Sequence, residues 1–202
     1  MENNMSKLYK NKLILLFAVV SLIAVSCNPI SIYNNIVEKD EAVNAAWAQV
    51  ENQYQRRADL IPNLVECVKG YASHESETLE NVIAKRKQTT QIVVSKEVLE
   101  NEQLFAQYQQ AQNALSGALS RLMAVAEAYP DLKANENFIA LQSQLEGTEN
   151  RISVERKRYN EAVQDFNTYI RKIPNCWFKG NAQPKQMFKA APNASEAPKV
   201  KF

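Results

Sequence analysis

Glycine is scarce in this sequence: it accounts for four of the 202 residues, and the seven prolines are weighted towards the C-terminal tail. Alanine, glutamine, glutamate, lysine and leucine, which all favour helices, are abundant instead. A chain with few glycines and many helix-forming residues is expected to be mostly helical. Its length suits one domain with an accessory segment.

Histidine is represented only by His74, and this limits the catalytic chemistry that the sequence can support. A Ser-His-Asp or Cys-His arrangement would have to use this residue, which sits beside Glu75 at a predicted helix junction. A zinc site needs three or four ligands and a di-iron bundle needs paired Glu-x-x-His motifs, and the sequence has neither pattern. We therefore predict no catalytic site, no metal site and no cofactor.

Motifs that bind nucleotides or activate nucleophiles are also missing: the sequence has no Gly-rich phosphate loop, no Gly-x-Ser-x-Gly and no Cys-x-x-Cys. Removing residues 1–26, which contain three lysines and Glu2, reduces the 24 basic and 22 acidic residues to 21 of each. This neutral balance gives no indication of nucleic-acid binding.

The N-terminal region differs from the rest of the chain. Three lysines, at positions 7, 10 and 12, precede the apolar run Leu13–Val25, which is followed by Ser26 and Cys27. A basic flank and an apolar run that ends in a small residue are typical of an export signal. The run is shorter than the roughly 20 residues that span a bilayer, which favours a cleaved signal over residues 1–26.

The residues around the end of this run, Ala24-Val25-Ser26-Cys27, resemble a bacterial lipoprotein signal. In such signals small residues precede a cysteine that is acylated and becomes the new N-terminus. We therefore predict lipid attachment at Cys27, with an uncleaved membrane anchor as the alternative. By the positive-inside rule, the rest of the chain is expected on the extracytoplasmic side of the cell membrane.

Two further cysteines, Cys67 and Cys176, would then lie in an oxidising compartment. They could form a disulfide with each other. The preferred interpretation is that both are small buried side chains, because two cysteines do not make a disulfide scaffold.

Apolar residues recur in steps of three and four along the chain, which is typical of amphipathic helices. The first apolar face runs from Val43 to Tyr71 and keeps the same phase before and after Pro62. The unchanged phase predicts one helix that continues through Pro62. Because proline removes a backbone donor and crowds the carbonyl of Ala58, the helix is expected to bend there.

Three more helices follow the same pattern: one begins near residues 73–76, and the others extend over about 101–129 and 132–173. Four helices with narrow apolar seams and short connections predict an all-α fold, an elongated antiparallel up-down bundle over residues 29–175. Residues 176–202 lack the periodicity and carry five lysines against one acid, so we predict an extended basic tail.

One charged residue interrupts the apolar seam of each of two helices: Arg57 in the first and Glu155 in the fourth. If these helices are antiparallel neighbours, aligning the two charges also places Val43 opposite Tyr169. The alignment predicts a buried pair between Arg57 and Glu155 that fixes the register of the bundle.

Two parts of the sequence resemble the signature of the LemA family. The first is RRADLIPNLVECVKGYASHE at residues 56–75. The second is EAYPDLKAN at 127–135, followed by ENRI at 149–152. The resemblance implies an α-helical bundle tied to a bacterial membrane by its N-terminus, with no established enzymatic activity. Family members usually carry a transmembrane anchor, from which the signal at Cys27 departs.

These observations predict a membrane-anchored, non-enzymatic helical rod that binds another envelope protein or organises an assembly near the membrane. The alternative is an enzyme, or an accessory subunit of one, that acts on envelope polymers or lipids through a carboxylate near Pro62, such as Asp59 or Glu66. A third hypothesis places the basic tail on an anionic membrane. The candidate partner surface comprises Arg56, Asp59, His74, Trp177 and Phe178.

Overall fold

The computed structural model describes residues 10–18 and 29–189, and all regular elements within these ranges are helices. They are α1 (residues 10–18), α2 (Pro29–Lys69), α3 (Ser76–Thr90), α4 (Lys96–Glu100), α5 (Glu102–Ala126), α6 (Pro130–Lys133), α7 (Glu136–Arg171) and α8 (Asn175–Phe178). The predicted all-α class is confirmed. The predicted count of four is not, because the described ranges hold eight helical segments, of which four have 15 residues or more.

The predicted export signal lies largely outside the described ranges. Its residues 10–18 form the exposed helix α1, and the predicted lipid-attachment residue Cys27 falls in the part that is not described. Among the described helices, none combines the length and the apolar character that crossing a bilayer requires. The export signal and the lipid attachment therefore stay predictions.

The two longest helices, α2 and α7, lie side by side in opposite directions. Lys39 Nζ lies 2.6 Å from Asp165 Oδ2, and Arg57 Nη1 lies 2.7 Å from Glu149 Oε1. A later residue of α2 therefore contacts an earlier residue of α7, so the two helices are antiparallel. With 41 residues, α2 is about 60 Å long and sets the length of the bundle.

Helices α5 and α3 complete the alternation of directions. Trp47 of α2 packs against Phe105 of α5 with 6.2 Å between ring centroids, and Arg57 further along α2 bonds Ser116 further along α5, so these two helices run in the same direction. Tyr129, after α5, donates a hydrogen bond to Glu75, before α3, at 2.9 Å. The end of α5 therefore meets the start of α3, and the two run antiparallel.

The bundle has two distinct ends. The basal end consists of residues 29–37 of α2 and residues 171–180. The distal end consists of the connections 70–75 and 127–135, which are joined by a hydrogen bond from Asn135 Nδ2 to the Tyr71 hydroxyl at 2.9 Å.

Buried apolar side chains form two separate clusters along the bundle axis. The basal core is rich in aromatic rings and includes Ile36, Trp47, Tyr54, Phe105, Tyr108, Tyr159, Phe166 and Phe188. The distal core is mainly aliphatic and includes Ile61, Leu64, Val68, Val82, Leu115, Leu122, Leu132 and Leu145. Position 57 falls between them on α2, where an arginine is buried.

The possible disulfide between Cys67 and Cys176 is wrong, because both thiols are free and half-buried. Cys67 lies near the distal end of α2 and its thiol donates to Asn135 Oδ1. Cys176 lies in α8 at the basal end. The length of α2 separates them, and both are half-buried, whereas the preferred interpretation predicted buried side chains.

Helix α2 continues through Pro62, as its apolar phase predicted. Proline has no N–H, so the carbonyl of Ala58 lacks the donor that a helix normally supplies four residues later. Arg86 of α3 replaces it, because Arg86 Nε donates to Ala58 O at 2.7 Å. Since Ala58 is buried, this bond satisfies a carbonyl that water does not reach.

The substitution Arg86→Met should lower the free energy of unfolding by about 1–3 kcal/mol, because it leaves a buried carbonyl without a donor. In a Pro62→Ala background the loss should be smaller, since residue 62 then has an amide that can donate to Ala58. Urea denaturation of the four proteins tests this, with Lys87→Met on the exposed face of α3 as control. Equal losses in both backgrounds would contradict this role of Arg86.

Candidate functional site

Arg57 is a charged residue in the interior of the bundle, with 1% of its surface exposed. Its Nη1 donates to Ser116 Oγ at 2.7 Å and to Glu149 Oε1 at 2.7 Å, and its Nη2 donates to Gln112 Oε1. The guanidinium also lies over the ring of Tyr54, 5.1 Å from the centroid. One cation therefore connects α2, α5 and α7.

Helical spacing brings these groups together. Arg57 lies between Tyr54 and Ile61 on the buried face of α2, at steps of three and four residues. Gln112 and Ser116 are four residues apart and therefore neighbours on one face of α5. Arg57, Gln112, Ser116 and Glu149 thus form a layer between the basal and distal cores, here called the polar layer.

The predicted pair of Arg57 with Glu155 is wrong. Glu155 instead accepts from Arg158 at 2.8 Å on its own helix, and Glu149 takes its place beside Arg57. The observed register of α2 against α7 is therefore displaced by six residues, about 9 Å, from the predicted one. Periodicity could not identify Glu149 as the partner of Arg57, because Glu149 lies one position beside the buried seam residue Thr148.

Glu149 reaches the layer from the surface. Its side chain is 40% exposed while its Oε1 contacts the buried guanidinium. The pair is therefore open to solvent on one side, at the boundary of α5 and α7.

Two tyrosines adjoin the layer in the basal core. Burial raises the pKa of Tyr54, and the nearby Arg156 and Arg57 partly oppose that rise. Burial likewise raises the pKa of Tyr108, whose side chain is hydrogen-bonded to Gln112. Both phenols therefore stay neutral at physiological pH. The Tyr54 hydroxyl is buried without a hydrogen-bond partner among the described residues, so Tyr54 contributes through the packing of its ring.

A groove between α5 and α7 begins at Glu149 and extends towards the distal end. Its lining combines apolar side chains on the floor with carboxylates, and includes Leu119, Met123, Glu127, Leu145, Glu146 and Glu149. Leu119 and Leu145 belong to the distal core, so the floor is continuous with the interior. The groove can accept a side chain that is apolar along its length and positively charged at its tip.

The five residues of the predicted partner surface do not form one surface. Arg56 and Asp59 are exposed on the middle of α2, where Asp59 accepts from Gln55 Nε2 at 2.7 Å. His74 is exposed in the connection at the distal end. Trp177 and Phe178 lie together, exposed in α8 at the basal end. The five residues therefore lie at three separate places along the bundle.

Glu66, the other carboxylate considered for an enzymatic role, lines a depression near the distal end. Asn63, Cys67, Tyr71 and Leu141 lie in the same lining, whereas Arg56, Asp59 and His74 do not. Asp59, the other carboxylate of the enzymatic hypothesis, therefore does not share this depression with Glu66.

Residues 182–189, here called the C-terminal strap, pack along the basal half of the bundle in an extended conformation. Asn167 accepts from the backbone N–H of Lys185 and donates to its carbonyl, both at 2.8 Å. Asn160 forms the same pair of bonds with Phe188, at 2.9 and 3.0 Å. These amide side chains bind the strap as a neighbouring β-strand would, because an amide both donates and accepts.

Two side chains of the strap are buried. Lys185 Nζ contacts Asp40 Oδ1 at 3.0 Å and Glu100 Oε1 at 3.1 Å. Phe188 joins the basal core, 5.9 Å from Trp47 and 5.0 Å from Phe105 between ring centroids. The described part of the tail is thus an integral element of the bundle, and Lys185 is paired with protein carboxylates.

The sequence predicted an extended tail but not the two asparagines that bind the strap, although one signal for them exists. Asn160 and Asn167 are seven residues apart, which places them on one face of α7, about 10 Å apart along its axis. Three residues of extended chain, the step from Lys185 to Phe188, cover about 10 Å as well. Asparagines at this spacing beside an apolar seam can therefore bind the backbone of an extended segment that lies along the helix.

The fold and the polar layer define an elongated helical bundle whose long helices are held together by a buried arginine network, with a groove open to solvent. The chain belongs to the LemA family, whose sequence model matches residues 46–202.

The chain is also similar to named bacterial proteins. It is 27% identical to the magnetosome protein MamQ of Magnetospirillum gryphiswaldense over 179 residues, which are 81% of this chain and 66% of MamQ. MamQ 2 of Paramagnetospirillum magneticum is also 27% identical, with 80% and 65% covered. Protein LemA of Metamycoplasma hominis is 24% identical, with 78% and 67% covered. The chain thus spans about two-thirds of the length of these relatives, and none of these names denotes an enzyme.

The observed pairing predicts different costs for two glutamates of α7. Glu149→Gln should lower the free energy of unfolding by about 1–2 kcal/mol, because Arg57 loses its ionised partner while the partial exposure of Glu149 limits the cost. Glu155→Gln, the matched control, removes only the pair with the exposed Arg158 on the same helix and should therefore cost less than Glu149→Gln. Chemical denaturation measures both, and equal losses would contradict the observed register.

Proposed function

We propose that this protein is a membrane-anchored, non-enzymatic helical bundle that acts as an interaction or scaffold protein of a bacterial cell envelope. In this proposal the bundle lies on the extracytoplasmic side of the cell membrane. The groove between α5 and α7 carries the proposal, because it offers a partner both an apolar floor and charged edges. Membership of the LemA family and the basic and apolar pattern before Cys27 support it.

The chemistry of the groove indicates the kind of partner. Leu119 and Leu145 supply an apolar floor, and Glu127 and Glu146 supply negative charge. An amphipathic helix with apolar residues on one face and lysine or arginine beside them complements such a groove. The partner proposed is therefore an envelope protein that presents a basic amphipathic helix.

A photocrosslinking residue in place of Met123 tests this proposal in intact cells. It should form discrete adducts with a partner, and Glu127→Lys with Glu146→Lys should abolish them by reversing the charge of the groove. Val93, exposed in the connection before α4, provides the control position. The same adducts from both positions, or adducts that survive the charge reversal, would contradict a partner site in the groove.

Membrane attachment is tested by Cys27→Ser. The variant should lose incorporation of radiolabelled palmitate and move from the membrane fraction to the supernatant, because the acylated residue is gone. Cys67→Ser is the matched control, since this cysteine belongs to the bundle. If Cys27→Ser stays with membranes after a carbonate wash, the anchor is the uncleaved apolar segment and the lipoprotein prediction is wrong.

A further inference from the structure

The basal end exposes large apolar side chains that the bundle does not cover. Ile173 is 73% exposed and Trp177 is 71% exposed, and Phe178, Ile30 and Tyr33 are also exposed. The other tryptophan, Trp47, is buried in the basal core. Contiguous exposed apolar surface on a folded protein marks a site of contact with another molecule or a membrane.

Local hydrogen bonds hold this part of the chain in place. Cys176 N donates to Lys172 O at 2.9 Å, and Asn175 Nδ2 donates to Tyr169 O at 3.0 Å, so α8 is folded against the end of α7. After α8 the chain turns at Gly180, whose φ of 56° favours glycine, and returns along the bundle as the strap. Trp177 therefore projects from an ordered turn.

The start of α2 belongs to the same end. Ile32 of α2 and Ile170 of α7 are members of the basal core, and α8 packs against α2. The candidate lipid-attachment residue Cys27 is two residues before α2 begins at Pro29. A lipid or helical anchor at that point would hold this end of the bundle close to the bilayer.

The charges at the two ends differ in sign. Residues 29–37 and 166–195 contain no aspartate or glutamate, and the second range contributes Arg171, Lys172 and Lys179 to the basal end. The distal end, in contrast, carries three acids, Glu75, Glu127 and Asp131, against one lysine, Lys133. Aromatic side chains beside lysine and arginine are typical of protein surfaces at the membrane interface, where the cations attract anionic lipids.

We infer that the basal end is a lipid-binding surface, in which Ile173, Trp177 and Phe178 enter the headgroup region of an anionic bilayer. Lys172 and Lys179 contact the lipid phosphates, and the bundle stands upright on the membrane. This inference rests on the proposed membrane attachment and extends it. The anchor fixes one point of the chain, whereas the basal end fixes the orientation of the bundle.

Tryptophan fluorescence of the full chain can test this contact, using vesicles that contain phosphatidylglycerol and phosphatidylcholine brominated in its acyl chains. Bromine quenches only tryptophans that reach the lipid. Trp47 lies about 27 Å along α2 from Pro29, so quenching should come from Trp177 alone. The wild type should lose a large share of its emission, and Trp177→Phe should lose none.

A second position provides the matched control. Val93→Trp in the Trp177→Phe background places an exposed tryptophan away from the basal end, and it should not be quenched. Lys172→Glu together with Lys179→Glu should reduce the quenching of Trp177. Equal quenching at positions 93 and 177 would overturn the inference.

Flotation of the same vesicles separates this inference from the proposed function. If the wild type floats with the vesicles and Trp177 is not quenched, the lipid-binding surface is wrong while membrane attachment stands. If the wild type does not float, both are wrong. A Trp177 emission that changes with protein concentration in the absence of lipid would assign the basal end to a second copy of the chain and overturn the inference.

Discussion

The guanidinium of Arg57 is the interaction on which the arrangement of the bundle depends. It is buried between two apolar cores and binds Ser116 and Gln112 of α5 and Glu149 of α7. Apolar side chains pack acceptably in many registers, whereas a buried cation is satisfied only where its acceptors meet it. The layer thereby selects one register of α2 against two other helices, and the cores on either side follow from it.

A second arginine satisfies a buried polar group near Pro62, and this group belongs to the backbone. A proline in a helix interior leaves a carbonyl without its donor, and here Arg86 of α3 supplies one to Ala58. Two arginines, whose points of contact on α2 are the consecutive residues Arg57 and Ala58, thus bind α2 to α7 and α5 and to α3. Both points of contact on α2 lie within the stretch RRADLIP, which belongs to the part of this chain that the LemA family model matches.

The sequence predicted features that depend on periodicity and could not predict those that depend on a particular contact. The phase of apolar residues indicated the continuity of α2 and the burial of Arg57. It did not identify Glu149, because that residue lies beside the seam and reaches inward only through its carboxylate. The binding of the strap was not predicted for a related reason: Asn160 and Asn167 hold it through its backbone, and such bonds leave no hydropathy pattern.

The strap also makes the basal half depend on contacts between distant parts of the chain. Lys185 pairs with Glu100 across 85 residues of chain, and Lys189 is hydrogen-bonded to Gln109 across 80. Phe188 closes one side of the aromatic cluster, because its ring contacts both Trp47 and Phe105. A chain cut short before the strap would therefore leave these two rings with an open side, and its basal half would expose aromatic surface.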